Sequence, residues 1–224
     1  LSVKNLSRDR EFHDISFDLH KGERLGIAGL MGAGRSELVM TLFGDRKPKS
    51  GEIYVRGQKV RINSPAQAIR LKMALVTEDR KRYGLNLLAG TGTNIVTVVE
   101  RKLGRLGFFS TRKANALSDE MIRRLNIKVK SRSQIVSSLS GGNQQKVVLA
   151  KWLAEDIDII IFDEPTRGID VGAKAEIYKL INLLAEQGKA VILISSEMPE
   201  LIGLTDRIIV LHEGRLSGEL QKDE

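Results

Sequence analysis

Short apolar runs alternate with amphipathic segments through the last third of the chain, and this alternation limits the fold more than any other feature of the sequence. Three mostly apolar runs are predicted strands: Ile157–Phe162, Ala190–Ser195 and Arg207–Leu211. Two predicted helices lie between them, Ala173–Glu186 and Pro199–Leu204. Apolar strands that alternate with amphipathic helices are typical of a parallel sheet with helices on both faces. The sequence therefore predicts an α/β fold with a mostly parallel sheet.

The beginning of the chain is predicted to add an antiparallel β region. Alternating patterns mark two strands, Leu1–Leu6 and Ile15–His20. An Arg-Gly pair separates Gly51–Val55 from Gln58–Ile62, which is the pattern of a hairpin. A helix is expected after Ser64, with that side chain as its cap and Gln67 reaching back.

The stretch of about 85–144 is different, because it is basic, helix-rich and interrupted by glycines. We predict an inserted helical subdomain there, with Ser118–Leu125 as its clearest helix. The remainder, 1–84 and 145–224, is then the core of a single domain of residues 1–224. The short apolar run Ala74–Thr77 is predicted as one more buried strand of this core.

Composition excludes several classes of protein and leaves the partners open. The chain has no cysteine, which rules out disulfides and thiolate metal sites, and no apolar run approaches the roughly 18 residues of a membrane span. The net charge of +8 is compatible with polyanionic partners, but the 36 basic residues are scattered among 28 acidic ones, so we expect no nucleic-acid partner. The chain starts at Leu1, and we expect it to be a segment of a longer polypeptide.

A glycine-rich loop follows the predicted strand Arg24–Gly29 and precedes the predicted helix Glu37–Phe43. The loop has the spacing of a Walker A motif, with two glycines five residues apart and then a basic residue and a hydroxyl residue. In such a motif the backbone N–H groups of the loop bind phosphates. The alternative is a glycine turn without a ligand. Candidate nucleotide-binding residues are Gly29, Gly32, Ala33, Gly34, Arg35, Ser36 and Glu37.

Two acidic residues end the apolar strand Ile157–Phe162, and a Pro-Thr-Arg-Gly-Ile-Asp sequence follows them. We predict that Asp163 joins Ser36 around Mg²⁺ and that Glu164 polarises the water attacking the phosphate. Two acids at a strand end can also serve only as solvated loop residues, but the residues after them make the pattern more specific.

A third motif, Leu-Ser-Gly-Gly-Asn-Gln-Gln-Lys at Leu139–Lys146, opens a predicted helix. This string resembles the signature motif of ATP-binding cassette (ABC) ATPases, and the two preceding motifs are the context that this family would require. Together with Asp163–Lys174 and Ser195–Leu201, it is similar to the C-terminal cassette of the fused ATPase subunits of bacterial monosaccharide importers, the ribose/galactose/xylose type.

This resemblance implies a P-loop ABC-ATPase cassette that binds ATP and Mg²⁺ with Glu164 as its catalytic residue. It also implies that Ser140, Gly141 and Gly142 grip ATP held by a partner cassette, which in such importers is the N-terminal half of the same polypeptide. Further implied partners are transmembrane permease subunits and, indirectly, a periplasmic sugar-binding protein. The implied location is peripheral, on the cytoplasmic face of the bacterial inner membrane.

Three positions depart from the family pattern. Arg35 replaces the Walker A lysine, Glu78 replaces a glutamine that approaches Mg²⁺ and the γ-phosphate, and Ser196 replaces a histidine. We therefore expect an asymmetric pair, in which this chain supplies an intact signature in trans while its own site turns over weakly.

Two other functions remain open from the sequence. One is a nearly inert regulatory nucleotide-binding half, and the other is a soluble ABC protein acting on nucleic acid, which only the charge favours. Small GTPases are set aside because the chain lacks an Asn-Lys-x-Asp guanine-reading motif.

Overall fold

A computed structural model describes residues 1–105 and 108–221 of the chain. The described strands are β1 Ser2–Arg8, β2 Phe12–Asp18, β3 Arg24–Gly29, β4 Ser50–Val55, β5 Gln58–Val60, β6 Met73–Val76, β7 Gly104–Arg105, β8 Phe108–Phe109, β9 Ile159–Asp163, β10 Ala190–Ile194, β11 Arg207–His212 and β12 Arg215–Gln221. The helices are α1 Arg35–Leu42, α2 Pro65–Arg70, α3 Thr91–Val96, α4 Thr111–Arg124, α5 Gly141–Leu153, α6 Val171–Glu186 and α7 Met198–Leu204.

The chain divides into two compact units. The first comprises Leu1–Leu75, Ile157–Pro165 and the chain from Ile177 onward, and the second comprises Val76–Asp156 and Thr166–Glu176. The subdomain limits predicted from the sequence, about 85–144, stay a prediction.

The first unit contains the predicted mostly parallel sheet. Its six strands lie in the order β12-β11-β3-β10-β9-β6, and β3 runs parallel to both β11 and β10. Ile192 of β10 pairs with Leu25 of β3 on one side and Ile161 of β9 on the other, and all three side chains are fully buried. Strands buried on both faces read as continuous apolar runs, which explains why the sequence revealed them.

The antiparallel β region is also confirmed. A four-stranded sheet has the order β2-β1-β4-β5, with antiparallel pairing throughout. Its inward residues include Phe12 and Phe17, which are buried.

One local expectation needs correction, and one strand was not expected. Ser64 stands at the N-cap of α2 but its side chain makes no capping hydrogen bond, whereas the Gln67 side chain does reach back, since its Oε1 accepts from the Asn63 N–H at 2.7 Å. Strand β12 was not predicted, because its residues are mostly exposed and lack the alternation that marks a half-buried strand.

In the second unit, α3, α4 and α5 pack around Ile95, Met121 and Val147. The predicted helix Ser118–Leu125 is the second half of α4. Within residues 1–105 and 108–221, no helix is long and apolar enough to cross a bilayer.

Candidate functional site

The glycine-rich loop leads from β3, in the interior of the six-stranded sheet, into α1. Gly29 and Gly34 have φ angles of +152° and +91°, in the region that side-chain-bearing residues rarely adopt. A Cβ at Gly29 would lie 2.5 Å from the Leu211 carbonyl oxygen, and one at Gly34 would lie 2.6 Å from that of Glu11. The two outer glycines of the motif are therefore required by conformation and by space.

The loop leaves the start of α1 available to an anion. Gly34 occupies the N-cap and has no side chain, so it offers no acceptor to the first-turn N–H groups. Leu30 and Met31, at the tip of the loop, are 77% and 92% exposed, whereas Ala33 is buried. N–H groups at a helix N-terminus, approached by glycines, form a phosphate-binding arrangement.

Ser36 and Asp163 meet beneath this loop. The Ser36 hydroxyl donates to Asp163 Oδ1 at 3.2 Å, and Oδ2 of the same carboxylate is buried without a hydrogen-bond partner. Burial raises the pKa of Asp163 to about 6, with the nearby Glu164 charge adding to the rise and the Ser36 hydrogen bond opposing it. Hard cations bind oxygen ligands, so a buried carboxylate oxygen without a partner, beside a hydroxyl, could coordinate such a cation.

The types of residue at this contact are compatible with Mg²⁺. No group of three or more His, Cys, Asp and Glu side chains that could hold a metal occurs in the described part of the chain. Magnesium is often held by only one or two carboxylates together with substrate phosphates. A site made of Ser36 and Asp163 alone therefore suits Mg²⁺ that arrives with a nucleotide.

Arg35 turns toward Glu164 and the end of β10. Its Nη1 donates to the Ser195 carbonyl oxygen at 3.1 Å, and its Nη2 lies 3.5 Å from Glu164 Oε1. The second oxygen, Glu164 Oε2, accepts from the Ser196 hydroxyl at 3.1 Å. Glu164 thus has both carboxylate oxygens engaged, one by Arg35 and the other by Ser196.

The backbone at Glu164 is also unusual. Its φ is +49°, a left-handed conformation that is costly for a residue with a side chain. Its N–H donates to the Ile194 carbonyl oxygen at 3.0 Å, which joins the end of β9 to the end of β10. Strained backbone of this kind is characteristic of functional sites, where the surrounding structure maintains it.

Sequence reasoning missed the residues that shape the end of β10. The buried carboxylate of Glu200 accepts from the Ser195 hydroxyl at 2.7 Å and from the Tyr178 hydroxyl. The Ser195 hydroxyl oxygen in turn accepts from the Glu197 N–H at 3.0 Å. This network fixes the turn that carries Ser196.

The signature residues lie in the second unit, at the start of α5 as predicted. Ser140 is the N-cap, and its hydroxyl oxygen accepts from the Asn143 side-chain amide at 2.9 Å. A Cβ at Gly142 would come within 2.6 Å of Ala173 Cβ. The signature backbone is thus packed closely against the start of α6.

Glu78 is also in the second unit, where its carboxylate forms an ion pair with Arg167. The structure therefore brings the predicted site residues together in two groups. Gly29–Glu37, Asp163, Glu164 and Ser196 belong to the first unit, whereas Glu78 and Ser140–Gly142 belong to the second.

Comparison with known proteins identifies the family of this chain. Residues 12–167 match the family described as ABC transporter. A relative in Geobacillus kaustophilus, with the provisional name ribose/galactose/methyl galactoside import ATP-binding protein, is 51% identical over all of this chain and 44% of its own length. The ribose import ATP-binding protein RbsA of Bacillus cereus is 47% identical over 99% of this chain and 45% of its own length.

Among solved structures, a dimeric ATP-binding cassette in a post-hydrolysis state with ADP and Pi superposes with a TM-score of 0.84. The alignment covers 99% of this chain and 98% of that one at 23% identity, so it shows the fold alone. The chain spans less than half the length of the two relatives named above. The family match and the identity over the whole chain establish that this chain belongs to the ABC transporter family.

Proposed function

We propose that this chain is an ATP-binding cassette that couples ATP binding and hydrolysis to the import of a monosaccharide through a membrane ABC transporter. The observation that carries the nucleotide part is the Ser36–Asp163 contact beneath the glycine-rich loop. The relatives named for import of ribose and related sugars support the transport part. The sugar itself is left open, since we expect other subunits to select it.

The residues have distinct roles in this proposal. The first-turn N–H groups of α1 and the glycine-rich loop would bind the phosphates, and Ser36 and Asp163 would hold Mg²⁺. Magnesium, when bound, supplies positive charge to the β- and γ-phosphates. Glu164 would orient the attacking water and accept its proton. Glu78, by its position after β6, is proposed as a further contact to the metal.

The proposal places the complete signature of this chain in the site of a partner cassette. Ser140, Gly141 and Gly142 would contact ATP held by that cassette, proposed to be the N-terminal half of the same polypeptide. Permease subunits would anchor the pair at the cytoplasmic face of the bacterial inner membrane, and a periplasmic sugar-binding protein would act indirectly. No role in nucleic-acid binding is proposed.

A second function, a nearly inert regulatory half, is favoured by the contacts of Glu164. A carboxylate that is engaged by both Arg35 and Ser196 is less available to an attacking water than a free one, because each of its oxygens already accepts a hydrogen bond. This supports weak turnover in the chain's own site under either function.

The test is ATP turnover by this chain as a function of protein concentration, beside Glu164→Gln. We expect little turnover from the chain alone, and turnover that appears when the partner cassette is added. A rate per molecule that rises with concentration and vanishes in Glu164→Gln would show that two copies pair and that the own site works, which would contradict the asymmetric proposal.

A further inference from the structure

Arg80 makes a forked contact with the loop that follows Asp163 and Glu164, the two acids of the Walker B motif. Its Nη1 donates to the Arg167 carbonyl oxygen at 3.0 Å, and its Nη2 donates to the Gly168 carbonyl oxygen at 3.4 Å. A planar guanidinium can reach two neighbouring acceptors at once, which an ammonium group cannot do with the same geometry. The run Glu78–Arg82, which could be read as solvated charges, therefore contains a residue with a specific structural contact.

The same guanidinium lies against the signature. A Cβ at Gly141 would be 2.8 Å from Arg80 Nη2 and 3.0 Å from the Gly168 carbonyl oxygen. Gly141 thus packs directly on the pair that Arg80 and Gly168 form. The backbone of the signature and the loop after the Walker B acids meet at one side chain, that of Arg80.

The backbone that carries Arg80 is held at both ends. A π-helical turn spans Arg80–Gly84, and Asp79 caps it by accepting from the N–H groups of Lys81 and Arg82, each at 3.1 Å. At the other end, Lys151 of α5 donates to the Gly84 carbonyl oxygen at 2.6 Å. The position of Arg80 relative to α5, whose first residue is Gly141, is therefore fixed by hydrogen bonds.

The charge of Arg80 is paired with backbone carbonyls rather than with a carboxylate. The neighbouring Glu78 carboxylate forms its ion pair with Arg167 instead. Partial burial lowers the pKa of Arg80, with the Asp79 charge opposing the change. A guanidinium whose charge is only partly offset adds positive potential beside the N-terminus of α5, where a phosphate would be attracted.

We propose that Arg80 is a positioning residue for the signature, holding Ser140–Gly142 in register with the loop at Arg167–Gly168. Its two carbonyl contacts set how closely Gly141 approaches this loop. The consequence for catalysis rests on the proposed function, in which Ser140–Gly142 contact ATP on the partner cassette. A shift of the signature by about 1 Å would then impair the partner's turnover, since misplacements of this size can cost as much as a hundredfold in rate.

Hydrogen exchange measured by mass spectrometry tests the positioning without any turnover. Arg80→Lys keeps the charge but lacks the fork, and Arg80→Gln removes both. Lys81→Gln removes one charge from an exposed side chain on the same turn and is the matched control. We expect both Arg80 variants to raise exchange severalfold in the segments 139–146 and 167–173, and Lys81→Gln to leave both segments unchanged. Wild-type exchange in Arg80→Lys would overturn the proposal, because charge alone would then suffice.

Steady-state kinetics of the assembled pair of cassettes separates the positioning from the proposed function. We expect Arg80→Lys to lower kcat about tenfold or more while the KM for ATP changes less than about twofold, since the partner's own phosphate loop binds the ATP. An unchanged kcat would show that the contact has no role in turnover and would overturn the catalytic consequence. Raised exchange in a pair whose wild type does not hydrolyse ATP would refute the proposed function and leave the positioning supported.

Discussion

Arg35, the first residue of α1, lies beside Glu164, with Nη2 3.5 Å from Oε1 and both side chains about nine-tenths buried. The arginine directly follows the glycine-rich loop, and its guanidinium contacts the carboxylate that we propose as the base and the Ser195 carbonyl oxygen at the end of β10. From this contact we predict how replacement of Arg35 changes ATP turnover at the chain's own site.

Replacing Arg35 by Lys should increase nucleotide affinity and turnover at the chain's own site. Lysine is a compact charge that fits between the β- and γ-phosphates. Loss of the Arg35 guanidinium also frees the Glu164 oxygen that it contacts. We expect turnover to rise about tenfold or more, which corresponds to recovery of one contact of more than about 1.4 kcal/mol. Single-turnover hydrolysis, with the partner's own site inactivated, measures this.

Arg35→Gln is the matched control for that experiment, because it also removes the guanidinium but supplies no cation. It should show no gain. Equal gains in Arg35→Lys and Arg35→Gln would mean that release of Glu164, rather than phosphate binding, limits the site.

Removing the Ser36 hydroxyl should weaken the magnesium dependence of nucleotide binding. Ser36→Ala leaves Asp163 without the hydroxyl that lies 3.2 Å from it, so the metal loses one of its three proposed protein ligands. We expect addition of EDTA to lower the affinity of the wild type for ATP and to lower that of Ser36→Ala by a smaller factor. Isothermal calorimetry with and without EDTA gives both values, and an EDTA effect of equal size in the variant would remove Ser36 from the metal site.

Stability of the nucleotide-free chain should depend on the protonation of Asp163. Its pKa in the folded chain is about 6, above the ordinary 3.8, so between these values the folded state binds more protons than the unfolded state. The contribution is therefore present at low pH and is lost as the pH rises through about 6. From the two pKa values, this group should favour folding by roughly 2 kcal/mol more at pH 4.5 than at pH 7.5.

Other groups also titrate in this range, so the measurement is a comparison with Asp163→Asn. Denaturant unfolding at both pH values should show the wild type gaining on the variant as the pH is lowered. A stability difference that does not change between the two pH values would contradict the raised pKa of Asp163.

Sequence patterns predicted the parts of this fold in which burial or backbone geometry dictates residue type. Strands β3, β9 and β10 are buried on both faces and had to be apolar, and Gly29 and Gly34 occupy conformations that exclude other residues. The edge strand β12 was not predicted, because its residues are mostly exposed and need not alternate between apolar and polar types. The sequence therefore predicted the buried strands and the constrained glycines, but it did not predict the pairing of an exposed edge strand.

Within the candidate site, the positions of the motifs were predictable but the partners of the side chains were not. Arg35 was recognised as a departure, yet its contact with Glu164 depends on how three strand ends are placed. Glu200 and Arg80 were missed as site-shaping residues for the same reason, since Glu200 contacts the Tyr178 hydroxyl 22 residues away and Arg80 contacts a backbone carbonyl 87 residues away. Charge runs such as Glu78–Arg82 do not reveal which member is solvated.

Two of the three glycines of the phosphate loop, Gly32 and Gly34, should differ in their tolerance of alanine, although their φ angles are similar at +83° and +91°. A left-handed residue with a Cβ costs roughly 1–2 kcal/mol, and this cost applies to both variants. At Gly32 the added Cβ would meet nothing within 4 Å, whereas at Gly34 it would lie 2.6 Å from the Glu11 carbonyl oxygen. Denaturant unfolding should therefore show Gly34→Ala to be less stable than Gly32→Ala by at least about 1 kcal/mol, since relief of the clash requires movement of backbone. Equal losses would show that conformation alone, and not the close approach of the Glu11 backbone, requires glycine at the start of α1.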